Sequence, residues 1–186
     1  MSLDPTAQWL LRIALSLLFA RAAAHKLADV GAFRRAFEAY GVVPAAWSVL
    51  AGAALIGLEC AIAVGLWLPR VATAAALAAA ALLALYGGAM GLALARGRRD
   101  LDCGCTGPAA RQPVRASLVA RNALLALAAL LAALPATARD TGWVDALTVA
   151  GGVVVAAFFY LASEGLGAAA PRAEALRRAR QELARA

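Results

Sequence analysis

The chain has 186 residues, 63% of them hydrophobic, and its mean hydropathy is +0.75. A soluble domain is closer to half apolar, and several runs here reach the roughly 20 apolar residues that cross a bilayer, which excludes an ordinary soluble protein. The net charge of +7 does not indicate nucleic-acid binding, because the arginines flank hydrophobic spans, where positive charge sets topology and meets anionic lipid.

The hydrophobic runs predict an all-α fold, a polytopic membrane bundle of four core helices plus a fifth transmembrane helix. An open sheet edge is not tolerated in lipid, so each span must be helical. We interpret the first run as an uncleaved helix, because Arg12 interrupts it and no basic residue precedes Arg12. The spans lie at about 7–28, 46–68, 71–95, 115–135 and 143–163. They form one bundle over residues 1–165, followed by a basic amphipathic tail, 166–186, on the lipid surface.

Charged residues inside the first two spans are functional candidates, because intramembrane charge is costly. Spans one and two are antiparallel, and Arg12 and Glu59 differ in depth from the same membrane side by roughly 6 Å of helix rise. An arginine side chain can reach over this distance. This predicts an intramembrane ion pair between Arg12 and Glu59. Such a pair could equally serve only to orient the two helices.

A basic pocket is predicted below the loop that precedes span four. Arg21 and His25 are four residues apart and share one face of span one, next to Lys26. Arg121, followed by Asn122, falls at a similar depth in span four. The pocket could stabilise a thiolate or bind an acidic headgroup or a quinone carbonyl, and the alternative is that these side chains snorkel to the interface.

Cys103-Gly104-Cys105 lies in the long polar stretch between spans three and four, after several arginines. Nearby positive charge favours the reactive thiolate, although Asp102 acts against it. A disulfide across so small a ring would be strained, and strained, accessible disulfides tend to be labile or catalytic. The pair therefore indicates a thiol–disulfide centre. Two unreactive thiols, or a soft metal ion held by two thiolates and a carboxylate, are the alternatives.

A closed zinc site is not expected, since it needs four ligands and the chain has no second Cys/His cluster. Cys60 lies inside span two and is interpreted as a small, buried apolar filler. The arginines crowd one side of the membrane, and the positive-inside rule then places the Cys103/Cys105 loop in the cytoplasm. Disulfide chemistry usually belongs outside the cytoplasm, so the two arguments conflict.

The chain resembles the MauE/DoxX group of small membrane proteins, and its loop resembles the signature loop of the methylamine utilisation family MauE. Phenylalanine is more usual in that loop than Thr106. The matching residues are Arg12, His25-Lys26-Leu27, Phe33, Tyr40-Gly41, Pro44, Leu58-Glu59, Gly65, Arg96-Gly97-Arg98, Asp102 to Cys105, Gly107, Pro113, Arg121 and Asn122. The similarity covers about residues 10–135.

This resemblance implies a multi-pass protein of the bacterial inner membrane that acts in maturation, disulfide formation or transport of the methylamine dehydrogenase small subunit. It implies a thioredoxin-like partner of the MauD type and leaves a quinone as a candidate cofactor. On this view Cys103 and Cys105 are the redox pair, and the chain is a candidate thiol–disulfide oxidoreductase. A non-enzymatic scaffold for that subunit, or a small transporter or soft-metal carrier, stays open.

Overall fold

A computed structural model describes residues 2–41, 43–98 and 114–183. In these ranges the chain is helical, which confirms the all-α prediction, and its extended pairing is a single bridge between Leu3 and Ala136. The helices are α1 (Pro5–Ala28), α2 (Val30–Ala39), α3 (Ser48–Gly65), α4 (Ala72–Ala95), α5 (Ala116–Ala132) and α6 (Trp143–Leu183), with a short 3₁₀ turn at Ala45–Trp47.

Four helices in the described ranges are long and apolar enough to cross a bilayer, namely α1, α3, α4 and the Trp143–Ser163 part of α6. Helix α5 is apolar but has only 17 residues. The chain is thus a membrane protein built from helices. Helix α6 continues without a break into the basic tail as far as Leu183, and the contact of that tail with a lipid surface stays a prediction.

Aspartates define where the first two helices begin. The Asp4 side chain accepts a hydrogen bond from the Thr6 amide at 2.8 Å, and Pro5 occupies the first helical position, where its missing N–H costs nothing. Asp29 ends α1 and starts α2, because its side chain accepts from the Ala32 amide at 2.8 Å. The short, charged helix α2 therefore branches off at the end of the first span.

The core lies between α1, α3, α4 and α5, and small residues on α4 allow close packing. Ala76 and Ala79 are fully buried on one face of α4. A Cβ atom at Gly87 would lie 3.4 Å from the Cβ of Asn122, so α4 and α5 are in near contact there. Small residues at such interfaces let backbones approach in lipid, where helix association depends on packing.

Helix α6 packs on the outside of this core, mainly against α1. A Cβ atom at Gly152 would fall 2.8 Å from a Leu10 methyl carbon, so glycine allows the contact. Phe158 and Phe159, by contrast, are each 68% exposed. None of the apolar window of α6 is buried, so most of its surface is open to lipid or to another membrane protein.

Arg139 joins three segments at the end of the bundle where α1 begins. Its guanidinium donates to Asp4 at 2.8 Å, to Asp145 at 2.6 Å and to the Thr6 hydroxyl at 2.7 Å. The hydrogen bond from Arg139 lowers the pKa of Asp4 from 3.8 to about 2. The same contacts, chiefly that with Asp4, raise the pKa of Arg139. The N-terminus, the α5–α6 connection and the start of α6 are thereby tied together.

Replacing Arg139 with glutamine should lower the thermal unfolding temperature at neutral pH. Because the folded-state pKa of Asp4 lies below its ordinary value, this stabilisation is present above about pH 4 and is lost as the pH falls through about 2. The difference from wild type should therefore shrink over that interval in detergent-solubilised protein. Arg70→Gln, a change at an exposed arginine near the same end, is the control. A difference that stays constant down to pH 2 would contradict this role of Asp4.

Candidate functional site

A buried ionic cluster joins α1, α3 and α4. Lys26 is 4% exposed and Glu59 is 0% exposed. The Nζ atom of Lys26 lies 2.5 Å from Oε1 of Glu59, and the Tyr86 hydroxyl donates to the same oxygen at 2.6 Å. The ammonium group also lies 5.4 Å from the centroid of the Tyr86 ring. The intramembrane carboxylate thus has a cation and a hydroxyl from two other helices.

The predicted ion pair between Arg12 and Glu59 does not form, and that prediction is wrong. The Ser16 hydroxyl donates to the Ala63 carbonyl at 2.8 Å, which places these residues of α1 and α3 at one level. Glu59 is then level with residue 20, and Arg12 lies about eight residues, or roughly 12 Å, away along α1. Helical side chains point toward the N-terminus, so Arg12 points away from Glu59 and Lys26 points back toward it.

Arg12 instead lies beside an aromatic ring near the opposite end of α1. Its guanidinium carbon is 6.0 Å from the centroid of the Trp9 ring. A cation over an indole face is attracted by the ring quadrupole. Arg12 is therefore separate from the Lys26–Glu59 cluster.

Four of the predicted pocket residues, Arg21, Lys26, Arg121 and Asn122, surround one small cavity together with Glu59. The Arg21 and Arg121 guanidinium carbons lie 5.5 and 5.1 Å from the centroid of the Tyr160 ring. Asn122 is buried and donates to the Leu118 carbonyl at 2.9 Å. The cavity has a volume of about 40 Å³. Its polar lining residues are Arg21, Lys26, Glu59, Tyr86, Arg121, Asn122 and Tyr160.

His25 is half-buried on α1 and is not among the residues that line this cavity. Tyr86 and Tyr160 also line it, and neither was predicted from the sequence. Tyr86 could have been found, because it is a phenol inside a helix made almost entirely of alanine, leucine and glycine. A buried tyrosine hydroxyl usually has a hydrogen-bond partner, and Glu59 is that partner here.

Cys103, Cys105 and Asp102 lie outside the described residues, but the chain on either side of them is described. The Arg98 guanidinium donates to the Ala39 carbonyl at 2.8 Å, at the end of α2. Val114 is 1% exposed and belongs to a cluster with Met90 and Ala93. Both ends of the cysteine-bearing segment are therefore held where α4 ends and α5 begins, the end of the bundle that carries Lys26.

Cys60 is a free thiol that is exposed on the outside of α3. The prediction that it is buried filler is wrong, because its neighbour Glu59 faces the core and consecutive helical residues point about 100° apart. Among the described residues, no group of three or more His, Cys, Asp or Glu side chains is placed to hold a metal ion.

Comparison with known sequences identifies relatives over most of the chain. The family described as "Methylamine utilisation protein MauE" matches residues 5–135. The MauE protein of Paracoccus denitrificans is 41% identical over 128 residues, covering 69% of each chain. That of Paracoccus versutus is 37% identical over 159 residues, covering 84% of this chain and 86% of the relative. No solved structure matches this chain significantly.

Breaking the Lys26–Glu59 pair from one side should destabilise the bundle strongly. Lys26→Met or Glu59→Met alone leaves an uncompensated buried charge and should cost about 3–5 kcal/mol in the free energy of unfolding. The double variant removes both charges, so its unfolding free energy should be much closer to that of wild type. Unfolding in mixed micelles measures this double-mutant cycle.

The control is Arg34→Met, which breaks an exposed ion pair with Glu38 on α2 and should have a much smaller effect. Arg12→Met should show no coupling to Glu59→Met. Additive effects of Lys26→Met and Glu59→Met would contradict the pairing, as would coupling of Glu59 to Arg12.

Proposed function

This chain belongs to the MauE family of methylamine utilisation proteins, and from this premise we propose that it is a membrane assembly factor of the methylamine utilisation system. It supports maturation, disulfide formation or transport of the methylamine dehydrogenase small subunit. Cys103 and Cys105 form its thiol–disulfide centre, and a thioredoxin-like protein of the MauD type is its partner. The subunit and the partner follow from the family resemblance.

The observation that carries the proposal is the position of the two chain ends that flank Cys103 and Cys105. Arg98 donates a hydrogen bond to the end of α2, and Val114, just before α5, packs against Met90, Ala93 and Leu118. Exposed Arg96 and half-buried Arg115 lie at the same end. Positive charge near a thiol favours its thiolate form. Basic residues at both described ends of this segment therefore support a role of Cys103 and Cys105 in thiol–disulfide exchange.

The proposed exchange conserves electrons and protons. A thiolate of one protein attacks the disulfide of the other and forms a mixed disulfide, and the departing sulfur takes up a proton. The second thiolate of the attacking pair then closes its own disulfide and releases the other protein as a dithiol. Two electrons and two protons pass between the Cys103/Cys105 pair and the partner's cysteine pair, in the direction set by their reduction potentials.

A non-enzymatic scaffold for the same subunit is the second candidate. It is favoured by the apolar face of α6, where Phe158 and Phe159 are each 68% exposed and could meet another membrane protein. Scaffolding needs the surface but no thiol chemistry, so cysteine variants distinguish the two functions.

The double variant Cys103→Ser with Cys105→Ser should abolish maturation of the dehydrogenase small subunit in cells, because it removes the exchange centre. Alkylation trapping of wild type should show a Cys103–Cys105 disulfide that forms and is reduced reversibly. Cys60→Ser is the matched control, since Cys60 lies on the outside of α3, and should leave maturation unchanged. Full maturation with both serines present would support the scaffold instead.

Direct exchange with periplasmic proteins requires the cysteine pair to face the periplasm. A membrane-impermeant maleimide added to intact spheroplasts should therefore label Cys103 and Cys105 in the Cys60→Ser background. Inverted vesicles, which expose the cytoplasmic side, are the control. Labelling from inverted vesicles alone would agree with the positive-inside count and would rule out direct exchange with a periplasmic partner.

A further inference from the structure

One oxygen of the buried carboxylate of Glu59 is left without a hydrogen bond. Oε1 accepts from Lys26 and Tyr86, whereas Oε2 is inaccessible to solvent and has no hydrogen-bond partner among the described residues. Buried polar atoms in folded proteins nearly always have a partner, and an unsatisfied one costs free energy. Oε2 therefore requires a donor that enters from the adjoining cavity.

The cavity limits the size of that donor. Its volume of about 40 Å³ holds on the order of three water-sized groups, since one needs roughly 10–15 Å³ on the same measure. A hydroxyl group fits this space, and an aromatic ring does not. The donor is therefore a water molecule or the hydroxyl end of a larger ligand whose remainder lies elsewhere.

A groove beside the cavity provides space for the remainder. It lies between α1, α5 and α6, has a volume of about 320 Å³, and shares Leu18, Arg21, Leu125 and Tyr160 with the cavity. This volume is in the range of small-molecule sites. Apart from Arg21 and the Tyr160 hydroxyl, the groove is lined by apolar residues. A narrow polar end and a long apolar body together match the shape of an amphiphile.

Depth and the need for a hydrogen-bond donor favour an uncharged head group. Glu59 is level with residue 20 of α1, about eight residues or roughly 12 Å before the helix ends at Ala28. This level lies inside the hydrocarbon layer, where a charged group is costly. Arg21, Lys26 and Arg121 also line the cavity, but an anionic group only accepts hydrogen bonds and so cannot supply the donor that Oε2 requires.

We propose that this cleft binds an uncharged membrane lipid whose hydroxyl donates a hydrogen bond to Oε2 of Glu59 and whose tail occupies the groove. Diglycerides and prenylated quinols both have this chemistry. The site is independent of the cysteine pair, so it goes beyond the proposed assembly function.

The test uses the full chain in nanodiscs that contain dioleoylglycerol in one arm and decylubiquinol in the other, with retained lipid measured by native mass spectrometry. Each arm includes the corresponding O-methyl ether, which keeps the tail but has no donor. Loss of one buried hydrogen bond to a charged acceptor predicts about tenfold weaker retention of the ether. The arm that shows this difference identifies the source of the hydroxyl.

Ala157→Phe places a ring in the groove from an exposed position on α6 and should reduce retention about tenfold or more. Ala84→Phe, at an exposed position on α4 that lines neither space, is its matched control. The double variant Lys26→Met with Glu59→Met should also lose retention, and its fold is checked separately by unfolding.

Equal retention of alcohol and ether in both arms would overturn the proposal. So would retention unchanged by Ala157→Phe, preferential retention of phosphatidylglycerol, or water as the sole occupant of the cavity. Cys103→Ser with Cys105→Ser should leave retention unchanged, so failure of the lipid site and failure of the thiol–disulfide function are separate results.

Discussion

The contact between Lys26 and Glu59 is the constraint that fixes which faces of α1, α3 and α4 meet. A carboxylate at this depth is costly in lipid without a close cation, and Lys26 provides one at 2.5 Å. The pair joins α1 to α3, and Tyr86 adds α4 through the same oxygen. Two apolar side chains of similar size could hold these helices at least as well. Burying two charges thus gives these helices no gain in stability over apolar residues, which agrees with a role of the pair in binding rather than in stability alone.

Much of the fold was predictable because lipid leaves the backbone few choices. The apolar runs predicted helices, and the structure has helices at each of them. The partner of Glu59 was not predictable in the same way. Pairing depends on the axial register of two helices, set here by Ser16 and Ala63, and on the direction in which each side chain points. Hydropathy gives neither the register nor the side-chain direction. Counting residues from the ends of the spans therefore predicted Arg12, instead of Lys26, as the partner of Glu59.

Only some of the residues that cluster at the candidate site could be predicted from the sequence. Arg21, Arg121 and Asn122 stood out because they are polar within apolar runs, and the structure places them around one cavity. His25 stood out for the same reason and does not line it. Tyr160 was missed because it lies in α6, which reaches the site only through tertiary contacts with Arg21 of α1 and Arg121 of α5. The redox role of Cys103 and Cys105 still depends on family resemblance, since both lie outside the described residues.

Helix α6 determines whether the groove exists at all. The apolar window of α6 has no buried residue, and this helix meets the core mainly along α1, where Gly152 allows close contact with Leu10. Arg139 fixes the start of α6 through Asp145, and near the end of the apolar window Trp143–Ser163 the Tyr160 ring lies beside the guanidinium groups of Arg21 and Arg121. The groove lies between these two sets of contacts, and apart from Arg21 and Tyr160 it is lined by apolar side chains. Because α6 is held at both ends of its apolar window and leaves most of that window unburied, it can admit a lipid tail from the bilayer without disturbing the four-helix core.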